Sequence, residues 1–415
     1  MSATEQIVQS ASDNWLAVYR PRALVLDHGL GARLWDIEGR EYVDFAAGIA
    51  VNALGHGDPD LKAALHAQAE KLWHASNVFY TEPPVQLAQA LVDKSGFAKR
   101  VFLCNSGTEA NEAAIKLVRR WASDQGRAPE RRVIITFEGS FHGRTLAAVT
   151  ATAQPKYQQG YEPLPGGFRH CAFNDIAALE QAMAAGDVAA VMLEPIQGEG
   201  GVRPTAPGFL AAVRALCDRH DALLVLDEIQ CGMGRTGRLF AHQWDDVVPD
   251  IMTLAKALGC GFPIGAMLAG PRVAEVLQFG AHGTTFGGNP LAAAVANVAL
   301  AKLDSPAIRA NVERQSQALR ASLQALDARH GLFAEVRGRG LMLGAQLTPA
   351  FAGRAAEILD AAAEHGLLLL QAGPDVLRFV PPLSITDAEL ADGLERLGRT
   401  LTDWLSRQRI PATAS

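Results

Sequence analysis

Short, uninterrupted apolar runs alternate with segments of helical hydrophobic spacing through the middle of the chain. Four runs carry this pattern, namely RVFLC (100–104), VIITF (133–137), VAAVML (188–193) and ALLVLD (222–227). Runs of valine, leucine and isoleucine without polar alternation predict strands buried on both faces of a parallel sheet. Between the first two runs, TEANEAAIKLVRRWA (108–122) has apolar residues at helical spacing. This order predicts an α/β fold with a mostly parallel central sheet flanked by helices.

The C-terminal third has a different pattern, in which long helices alternate with short strands. A long helix is predicted from Ser305 to about residue 329, before the strand-like segment FAEVRGRGLMLGAQL. A second helix precedes GLLLL, and a third follows VLRFVPP, where Thr386 and Glu389 have the spacing of a capping box. These elements predict a second, smaller α+β unit.

The first residues of the chain are expected to join this smaller unit. They include the strand-like segment RLWDIEGREYVDF. The predicted division is therefore a large ligand-binding domain at 56–300 and a small domain formed by 1–55 and 301–415.

Composition and charge exclude several classes of protein. The chain has 415 residues, of which 49% are hydrophobic and 20% charged, and a formal net charge of −6. This acidic balance provides no electrostatic surface for nucleic acid. The first fifteen residues lack a basic start and an apolar core, so they do not form a signal peptide. Residues 251–271 are nearly long enough to cross a bilayer, but Lys256, four glycines and two prolines argue against a membrane helix.

The cysteines and histidines indicate neither disulfides nor a metal site. Five cysteines form no CxxC pair, which is typical of reduced thiols in a cytoplasmic protein. The eleven histidines have no metal-ligand spacing. We therefore expect no metal.

Polar residues follow each predicted strand directly, at the edge where parallel sheets bind ligands. After the first strand, Asn105 to Glu109 is consistent with an ordinary helix start, since Ser106 and Glu109 have capping-box spacing. The same segment is also suited to an anion, because backbone N–H groups are free at a helix start and Gly107 permits close approach. The nucleotide-binding pattern GxxxxGK[ST] is absent, so a phosphate cup here is not a nucleotide P-loop.

The segment GMGRTG (232–237) matches the pattern GxGxxG of dinucleotide sites. However, residues 228–231 separate it from the preceding strand, and no clear helix follows it. The segment therefore predicts a glycine-rich loop rather than a dinucleotide site.

Two charged residues lie in strongly apolar surroundings. Asp227 ends a predicted strand, where it either caps a loop or pairs with a cation such as a protonated pyridine nitrogen. Lys256 is the only charge between Asp250 and Arg272, where it either extends to the surface or stays buried with a lowered pKa. Low-pKa lysines form Schiff bases, so a phosphate cup, Asp227 and Lys256 together predict a pyridoxal phosphate site.

Four further residues complete this predicted site, although each also has an ordinary structural interpretation. Phe141 either stacks on a flat ring or packs in the core, and Arg144 either binds a carboxylate or lies on the surface. Glu199 and Arg378 are either exposed charges or a buried pair that opens to admit a second carboxylate.

The motifs NSGTEAN, FHGRT, EPIQGEGG, LLVLDEIQCGMGRTG, AKALGCGFP and HGTTFGGNPLA occur in this order. Together they resemble the class III aminotransferases of pyridoxal-phosphate (PLP) fold type I, over roughly residues 15–400. The resemblance implies PLP as cofactor, small-molecule substrates and a homodimer. It implies that Lys256 carries the cofactor and moves the proton, and that Asp227 holds the pyridinium nitrogen.

The resemblance also implies roles for the remaining residues. Gly107 and Thr108 hold the cofactor phosphate together with Thr285 of the partner subunit, Gln230 binds the phenolic oxygen, and Phe141 covers the ring. Substrate contacts are implied for Thr284, for Arg144 on a carboxylate, and for Glu199 and Arg378 as the pair that opens for glutamate.

Within the class, the chain most resembles members that transaminate N-acetylornithine with 2-oxoglutarate in arginine metabolism. Gly48 supports this, because ornithine enzymes have a tyrosine there and GABA enzymes a bulky aliphatic residue. Glycine leaves room for an acetyl group and equally for a succinyl group, so succinylornithine and N-succinyl-diaminopimelate remain alternative substrates. An ornithine or GABA enzyme, or a catalytically inactive PLP-binding protein, is a further alternative. Phe286 departs from the tyrosine that is common after the threonine pair.

Overall fold

The strands are distributed over the whole chain. The computed structural model describes residues 1–408. Its strands are β1 (Leu26–Leu30), β2 (Arg33–Asp36), β3 (Glu41–Asp44), β4 (Arg100–Cys104), β5 (Val133–Phe137), β6 (Phe168–Cys171), β7 (Val188–Leu193), β8 (Ile196–Gln197), β9 (Arg203–Pro204), β10 (Leu223–Asp227), β11 (Ile251–Leu254), β12 (Gly265–Ala269), β13 (Phe333–Arg339), β14 (Met342–Leu347), β15 (Leu367–Leu368), β16 (Leu370–Gln371) and β17 (Val376–Phe379).

Helices connect most of these strands. They are α1 (Ala3–Asn14), α2 (Ala47–Ala50), α3 (Pro59–Ala69), α4 (Glu82–Ser95), α5 (Gly107–Asp124), α6 (Leu146–Ala151), α7 (Ile176–Met183), α8 (Phe209–Arg219), α9 (Pro290–Leu303), α10 (Pro306–His330), α11 (Ala355–Glu364) and α12 (Asp387–Gln408). Short 3₁₀ turns occur at Pro129–Arg131, Pro155–Tyr157, Ala241–Trp244, Lys256–Leu258 and Pro349–Phe351.

A seven-stranded sheet with the order β4-β12-β11-β10-β7-β5-β6 forms the centre of the molecule. All of its strands are parallel except β12, which runs antiparallel to both neighbours. The four apolar runs are strands β4, β5, β7 and β10, so the prediction of a mostly parallel α/β sheet is confirmed. Strands β6, β11 and β12 were not predicted.

Both faces of this sheet are covered, as the uninterrupted apolar runs required. Helix α5 packs on one face, where Ile134 of β5 belongs to its cluster of buried residues. Helices α7 and α8 pack on the other face, against Ile135 and Phe137 of the same strand. The apolar positions of the predicted helix at 108–122 are all buried, namely Ala110, Ala113, Ala114, Leu117, Val118 and Trp121.

The fold also has two smaller four-stranded sheets, with the orders β1-β2-β3-β15 and β13-β14-β17-β16, and a two-stranded sheet of β8 and β9. Strand β15 pairs in parallel with β3, so the N-terminal strands share a sheet with the C-terminal part, as predicted. Ion pairs join them further, at 3.0 Å between Arg33 and Asp392 and at 3.1 Å between Arg396 and Glu41. The division into domains at 55/56 and 300/301 stays a prediction.

The two long C-terminal helices begin where their capping residues predicted. Ser305 caps α10 by accepting a hydrogen bond from the backbone N–H of Ile308 at 3.3 Å. Before α12, Thr386 and Glu389 form the predicted reciprocal capping box. Each cap satisfies backbone donors that the first helical turn leaves free.

The short turn α2 has a left-handed backbone. The φ angles of Ala47, Gly48, Ile49 and Ala50 are +45°, +62°, +67° and +61°. A left-handed conformation costs roughly 1–2 kcal/mol for each residue other than glycine. Asp44 holds the turn, since its carboxylate accepts from the backbone N–H of Ala47 at 2.9 Å.

Across residues 1–408, no single helix has both the length and the hydropathy required to cross a membrane. One bent pair, α9 with α10, meets that requirement by length and composition alone. The apolar stretch at 251–271 forms β11, a 3₁₀ turn and β12 instead.

Candidate active site

The polar residues that follow the central strands meet around one cavity of about 360 Å³. It is lined by residues from the ends of β4, β5, β7, β10 and β11, among them Gly107, Phe141, Glu194, Asp227, Gln230 and Lys256. Parallel strands bring their carboxyl ends to one edge of a sheet, which is why residues far apart in sequence converge here. The structure thus brings most of the predicted site residues together.

Lys256 lies in the 3₁₀ turn after β11, with its side chain facing the cavity. Its amine makes no hydrogen bond to any residue within 1–408, and burial lowers its pKa from 10.5 to about 8. Its backbone φ of +46° is left-handed, which is uncommon for a residue with a side chain. An amine with a lowered pKa, held in a strained position, is suited to act as nucleophile or general base in its neutral form.

Asp227 ends β10 and is almost completely buried. One carboxylate oxygen accepts from Asn111 Nδ2 at 2.8 Å and lies 2.8 Å from His142 Nδ1. Burial alone would lower the pKa of His142, but the hydrogen bond and the charge of Asp227 raise it. Thr253 in turn donates to Asn111 Oδ1 at 2.8 Å. This network fixes a carboxylate at the cavity wall.

The start of α5 has the features of the predicted anion cup. The backbone N–H groups of Gly107 and Thr108 have no acceptor within the described residues. A Cβ at position 107 would lie 2.8 Å from Ile229 Cδ1, so any larger residue would force the Ile229 side chain to move. Ser106 caps the helix by accepting from the Glu109 N–H, as predicted.

The capping box predicted at this helix start is only half formed. The Glu109 carboxylate accepts from the backbone N–H of Asn105 at 2.5 Å rather than from that of Ser106. The reason is that Asn105 also offers its side-chain amide, which donates to the same carboxylate at 3.0 Å.

Phe141 and Arg144 lie at the opening of the cavity, and Tyr157 lies beside them. The Arg144 guanidinium is 3.9 Å from the centre of the Tyr157 ring and 5.6 Å from that of Phe141. Arg144 is exposed and has no carboxylate partner within residues 1–408. It is therefore free to bind the carboxylate of a ligand.

Glu199 and Arg378 form the pair that the sequence predicted. Arg378 Nη1 donates to Glu199 Oε1 at 2.5 Å and to Gln230 Oε1 at 3.0 Å. Burial alone would raise the pKa of Glu199, but the charge of Arg378 lowers it. Arg378 is buried in β17 while Glu199 is partly exposed, so Glu199 is the partner that is able to move away.

Five predicted residues do not line this cavity. Arg378 adjoins it through the bond to Gln230, and Glu199 lines a separate cavity of about 870 Å³. Thr284 and Thr285 lie at a second cavity of about 620 Å³ on the surface. Thr284 Oγ1 nevertheless accepts from Asn105 Nδ2 at 3.2 Å, and Asn105 does line the first cavity. Gly48 is exposed on the left-handed turn, three residues before Val51 of the cavity wall.

The segment GMGRTG forms a loop with no helix directly after it, so the prediction of a glycine-rich loop is confirmed. Arg235 in this loop is fully buried and donates to the backbone oxygens of Leu341 and Pro381. The loop thereby joins the central sheet to the segment that follows Arg378.

Sequence reasoning missed Asn111, His142 and Glu194. Glu194 follows β7 directly, so the strand-end rule that selected Asp227 also applies to it. His142 lies inside the FHGRT motif next to Phe141, but nothing in its spacing marked it as a partner of Asp227. Asn111 lies among the buried apolar residues of α5, and no sequence feature distinguished it as a site residue.

A sequence profile described as aminotransferase class-III matches residues 17–401. The chain belongs to the class III aminotransferases. It is 72% identical over 407 residues to an acetylornithine aminotransferase of Xanthomonas campestris, covering 98% of this chain and 100% of the relative. A succinylornithine transaminase of Yersinia pseudotuberculosis is 50% identical, with coverage of 96% and 97%.

A solved structure of N-acetylornithine aminotransferase from Stenotrophomonas maltophilia K279a has the same fold. Its TM-score is 0.86 at 61% sequence identity, covering 96% of this chain and 100% of that one. The predicted fold type I architecture is therefore confirmed for this member of the class.

Class III aminotransferases use PLP, and the described residues fit this cofactor. Within residues 1–408, the N–H groups of Gly107 and Thr108 and the Lys256 amine have no hydrogen-bond partner. The two N–H groups suit the phosphate of PLP, and the Asp227 carboxylate suits a protonated ring nitrogen. These three features line the same cavity.

Proposed function

We propose that the protein is an N-acetylornithine aminotransferase. It would transfer the δ-amino group of N-acetyl-L-ornithine to 2-oxoglutarate, giving N-acetyl-L-glutamate 5-semialdehyde and L-glutamate. The ion pair between Glu199 and Arg378 beside Lys256 carries the proposal, because the two amino donors differ in charge at that position. The 72% identity to an acetylornithine aminotransferase supports the choice of substrate.

The Glu199–Arg378 pair allows one site to accept both amino donors. N-acetylornithine has no carboxylate beside its δ-amino group, so Glu199 stays on Arg378 and neutralises it. Glutamate has its α-carboxylate beside the reacting amine, so Glu199 withdraws and Arg378 binds that carboxylate. Arg144 binds the carboxylate at the far end of either donor.

In this mechanism Lys256 transfers the proton and Asp227 maintains the charge of the cofactor ring. When bound, PLP supplies an electron sink for the carbanion of the substrate. Lys256 takes the proton from the carbon that bears the amino group, and its lowered pKa leaves a useful fraction of neutral amine. Asp227 holds the proton on the pyridine nitrogen, with Asn111 and His142 fixing its carboxylate.

The remaining predicted residues bind and orient the cofactor and the substrate. Gly107 and Thr108 would donate backbone N–H groups to the phosphate of PLP, Gln230 would bind its phenolic oxygen, and Phe141 would cover its ring. Thr284, which lies at the second cavity, would reach a substrate across the proposed dimer interface. The absence of a side chain at Gly48 leaves room for the acyl group. We also propose the domain division given above and a cytoplasmic location, which the five free cysteines support.

The amino donor is tested by a half-reaction without keto acid. We expect N-acetylornithine to bleach the visible absorption of the PLP-loaded protein faster than ornithine or GABA, since Arg144 and Gly48 suit an acylated amino acid. N-succinylornithine, the substrate named by the relatives at 50% identity, is measured alongside. Faster bleaching by ornithine, GABA or N-succinylornithine would refute the assignment, and a spectrum without any cofactor band would refute the PLP site.

The proposed homodimer rests on the surface around the second cavity. Phe79, Tyr80 and Phe286 are 70%, 98% and 61% exposed, and Phe79 and Tyr80 line that cavity together with Thr285. Contiguous exposed aromatic residues are rare on monomers and typical of interfaces. A partner docked here would bring Thr285 of the partner subunit to the phosphate cup.

Sedimentation equilibrium tests the dimer directly. We expect a mass of about twice the 44.1 kDa of one chain, and a single chain for the double variant Phe79→Glu with Tyr80→Glu, because buried carboxylates oppose association. Val248→Glu, at an exposed residue before β11, is the matched control and should stay dimeric. A monomeric wild-type protein with full activity would contradict the proposal.

A further inference from the structure

Glu194 is a buried carboxylate to which the mechanism above assigns no role. It directly follows β7, lines the cavity and is 5% exposed. Its Oε1 accepts from the backbone N–H of Phe141 at 2.9 Å, and its Oε2 accepts from that of Gly198 at 3.0 Å. A carboxylate offers an acceptor at both ends, whereas the amide of glutamine would face one of these N–H groups with its own donor.

The two N–H groups belong to segments that have different roles in the proposed function. One belongs to Phe141, which covers the cofactor ring in the proposed function. The other belongs to Gly198, the residue directly before Glu199, whose carboxylate holds Arg378. Glu194 therefore connects the position of Glu199 to the rigid end of β7.

We propose that Glu194 is a positioning residue that holds Glu199 on Arg378 and so sets the balance between the two half-reactions. The inference rests on the proposed function, because only a site with two different amino donors requires this balance. Glu194 acts through Gly198 and does not contact Arg378 itself.

The two segments differ in how many other contacts hold them. The segment around Phe141 is fixed independently, since His142 N–H donates to Thr152 Oγ1 at 2.8 Å and the His142 carbonyl accepts from Asn111 at 2.7 Å. Gln197, before Gly198, is also fixed, by its pairing with Arg203 and by a 3.0 Å bond from its side-chain amide to the Glu138 oxygen. Within residues 1–408, however, Gly198 itself has one further backbone contact, a 3.4 Å bond from the Val202 N–H to its oxygen, and the backbone of Glu199 has none. Loss of the carboxylate should therefore displace Gly198 and Glu199 more than Phe141.

The charges around Glu194 agree with a tightly held group. The pKa of Glu194 is raised to about 7, mainly by burial and also by the charge of Asp227, while His142 and the two N–H groups oppose the rise. The carboxylate is thus kept at a cost in desolvation, which is expected where both of its oxygens are needed.

A purely structural role and the proposed role predict different kinetics. A loosened fold would weaken the binding of both donors alike. A loosened Glu199 should weaken the binding of N-acetylornithine alone, because this donor requires a neutralised Arg378. Glutamate requires Glu199 to withdraw. The KM values of the two donors therefore separate the two roles.

The test compares Glu194→Gln with the matched control Glu138→Gln, an exposed carboxylate at the end of the neighbouring strand β5. For Glu194→Gln we expect KM for N-acetylornithine to rise about tenfold, as for the loss of a hydrogen bond to a charged group, and KM for glutamate to stay within about twofold. Glu138→Gln should change neither. Equal rises for both donors, or no rise for either, would overturn the proposal.

Two further measurements complete the test. In a Glu199→Ala background, Glu194→Gln should change KM by less than about twofold, because the residue through which it acts is gone; a full effect there would overturn the proposal.

PLP affinity of the apoprotein, measured by fluorescence titration, should change by less than about threefold, as for an independently fixed Phe141 segment. A tenfold loss of PLP affinity with unchanged KM values would show that Glu194 serves Phe141 alone and would overturn the role at Glu199. If the wild-type protein does not use N-acetylornithine at all, the proposed function fails first.

Discussion

Replacing Lys256 with alanine is expected to lower turnover by about 10⁴-fold, the upper end of what a general base contributes. The reason is that no other amine is described at the cavity, so neither the covalent attachment nor the proton transfer has a substitute. Single-turnover absorbance measurements with N-acetylornithine would record the loss. Mass spectrometry after borohydride reduction should place the cofactor on the peptide of Lys256 in the wild-type protein.

The same variant should fold at least as well as the wild-type protein. The Lys256 amine makes no hydrogen bond within residues 1–408, and alanine keeps the backbone bonds to Gly259 and Cys260 while removing the cost of burying an amine. Urea denaturation of the apoproteins would compare their free energies of unfolding. Lys62→Ala, at an exposed lysine on α3, is the matched control and should keep full turnover. A Lys256→Ala protein with near-normal turnover would exclude the mechanism.

Replacing Asp227 with alanine is expected to lower kcat/KM by about 10²–10³-fold. Removing one partner of a buried charge pair costs about 3–5 kcal/mol, and each 1.4 kcal/mol is a factor of ten. In the loaded enzyme that pair is the carboxylate and the protonated ring nitrogen. Steady-state kinetics at saturating PLP would measure the change without a contribution from weaker cofactor binding.

Asp227→Ala should also destabilise the apoprotein, because Asn111 and the buried His142 lose their acceptor. Asp36→Ala is therefore the control. Asp36 is equally buried and accepts from Arg40 and Tyr42, but it lies in β2 outside the cavity. The Asp36→Ala variant should lose stability without losing kcat/KM. A similar loss of kcat/KM in both variants would show that Asp227 acts through the fold alone.

The sequence predicted the site well because strand ends of a parallel sheet have a fixed geometry. Once the apolar runs were recognised as parallel strands, Gly107, Phe141 and Asp227 had to lie at one edge. The composition around Lys256 indicated its burial, and the structure confirms the lowered pKa that burial causes.

The parts that the sequence did not predict depend on contacts between distant residues. Strand β12, with the sequence GAMLA, is short, has no polar alternation and lies in a glycine-rich stretch, so its residues do not distinguish a strand from a loop. Asn111 is buried because its helix faces the end of β10, which spacing within the helix does not reveal. The space around Gly48 depends on the left-handed backbone of residues 47–50. Glycine is the only residue type among these four that favours such a backbone, so the sequence did not indicate it.

The parallel pairing of β3 with β15 has a consequence for synthesis of the chain. Val43 pairs with Leu367, so the edge of β3 stays unpaired until most of the protein has left the ribosome. At roughly 5–20 residues per second, this interval lasts on the order of half a minute. An open strand edge is a site for aggregation during that time. The nascent chain should therefore depend on chaperones more than its well-packed central sheet suggests, and slower translation should lower the yield of folded enzyme.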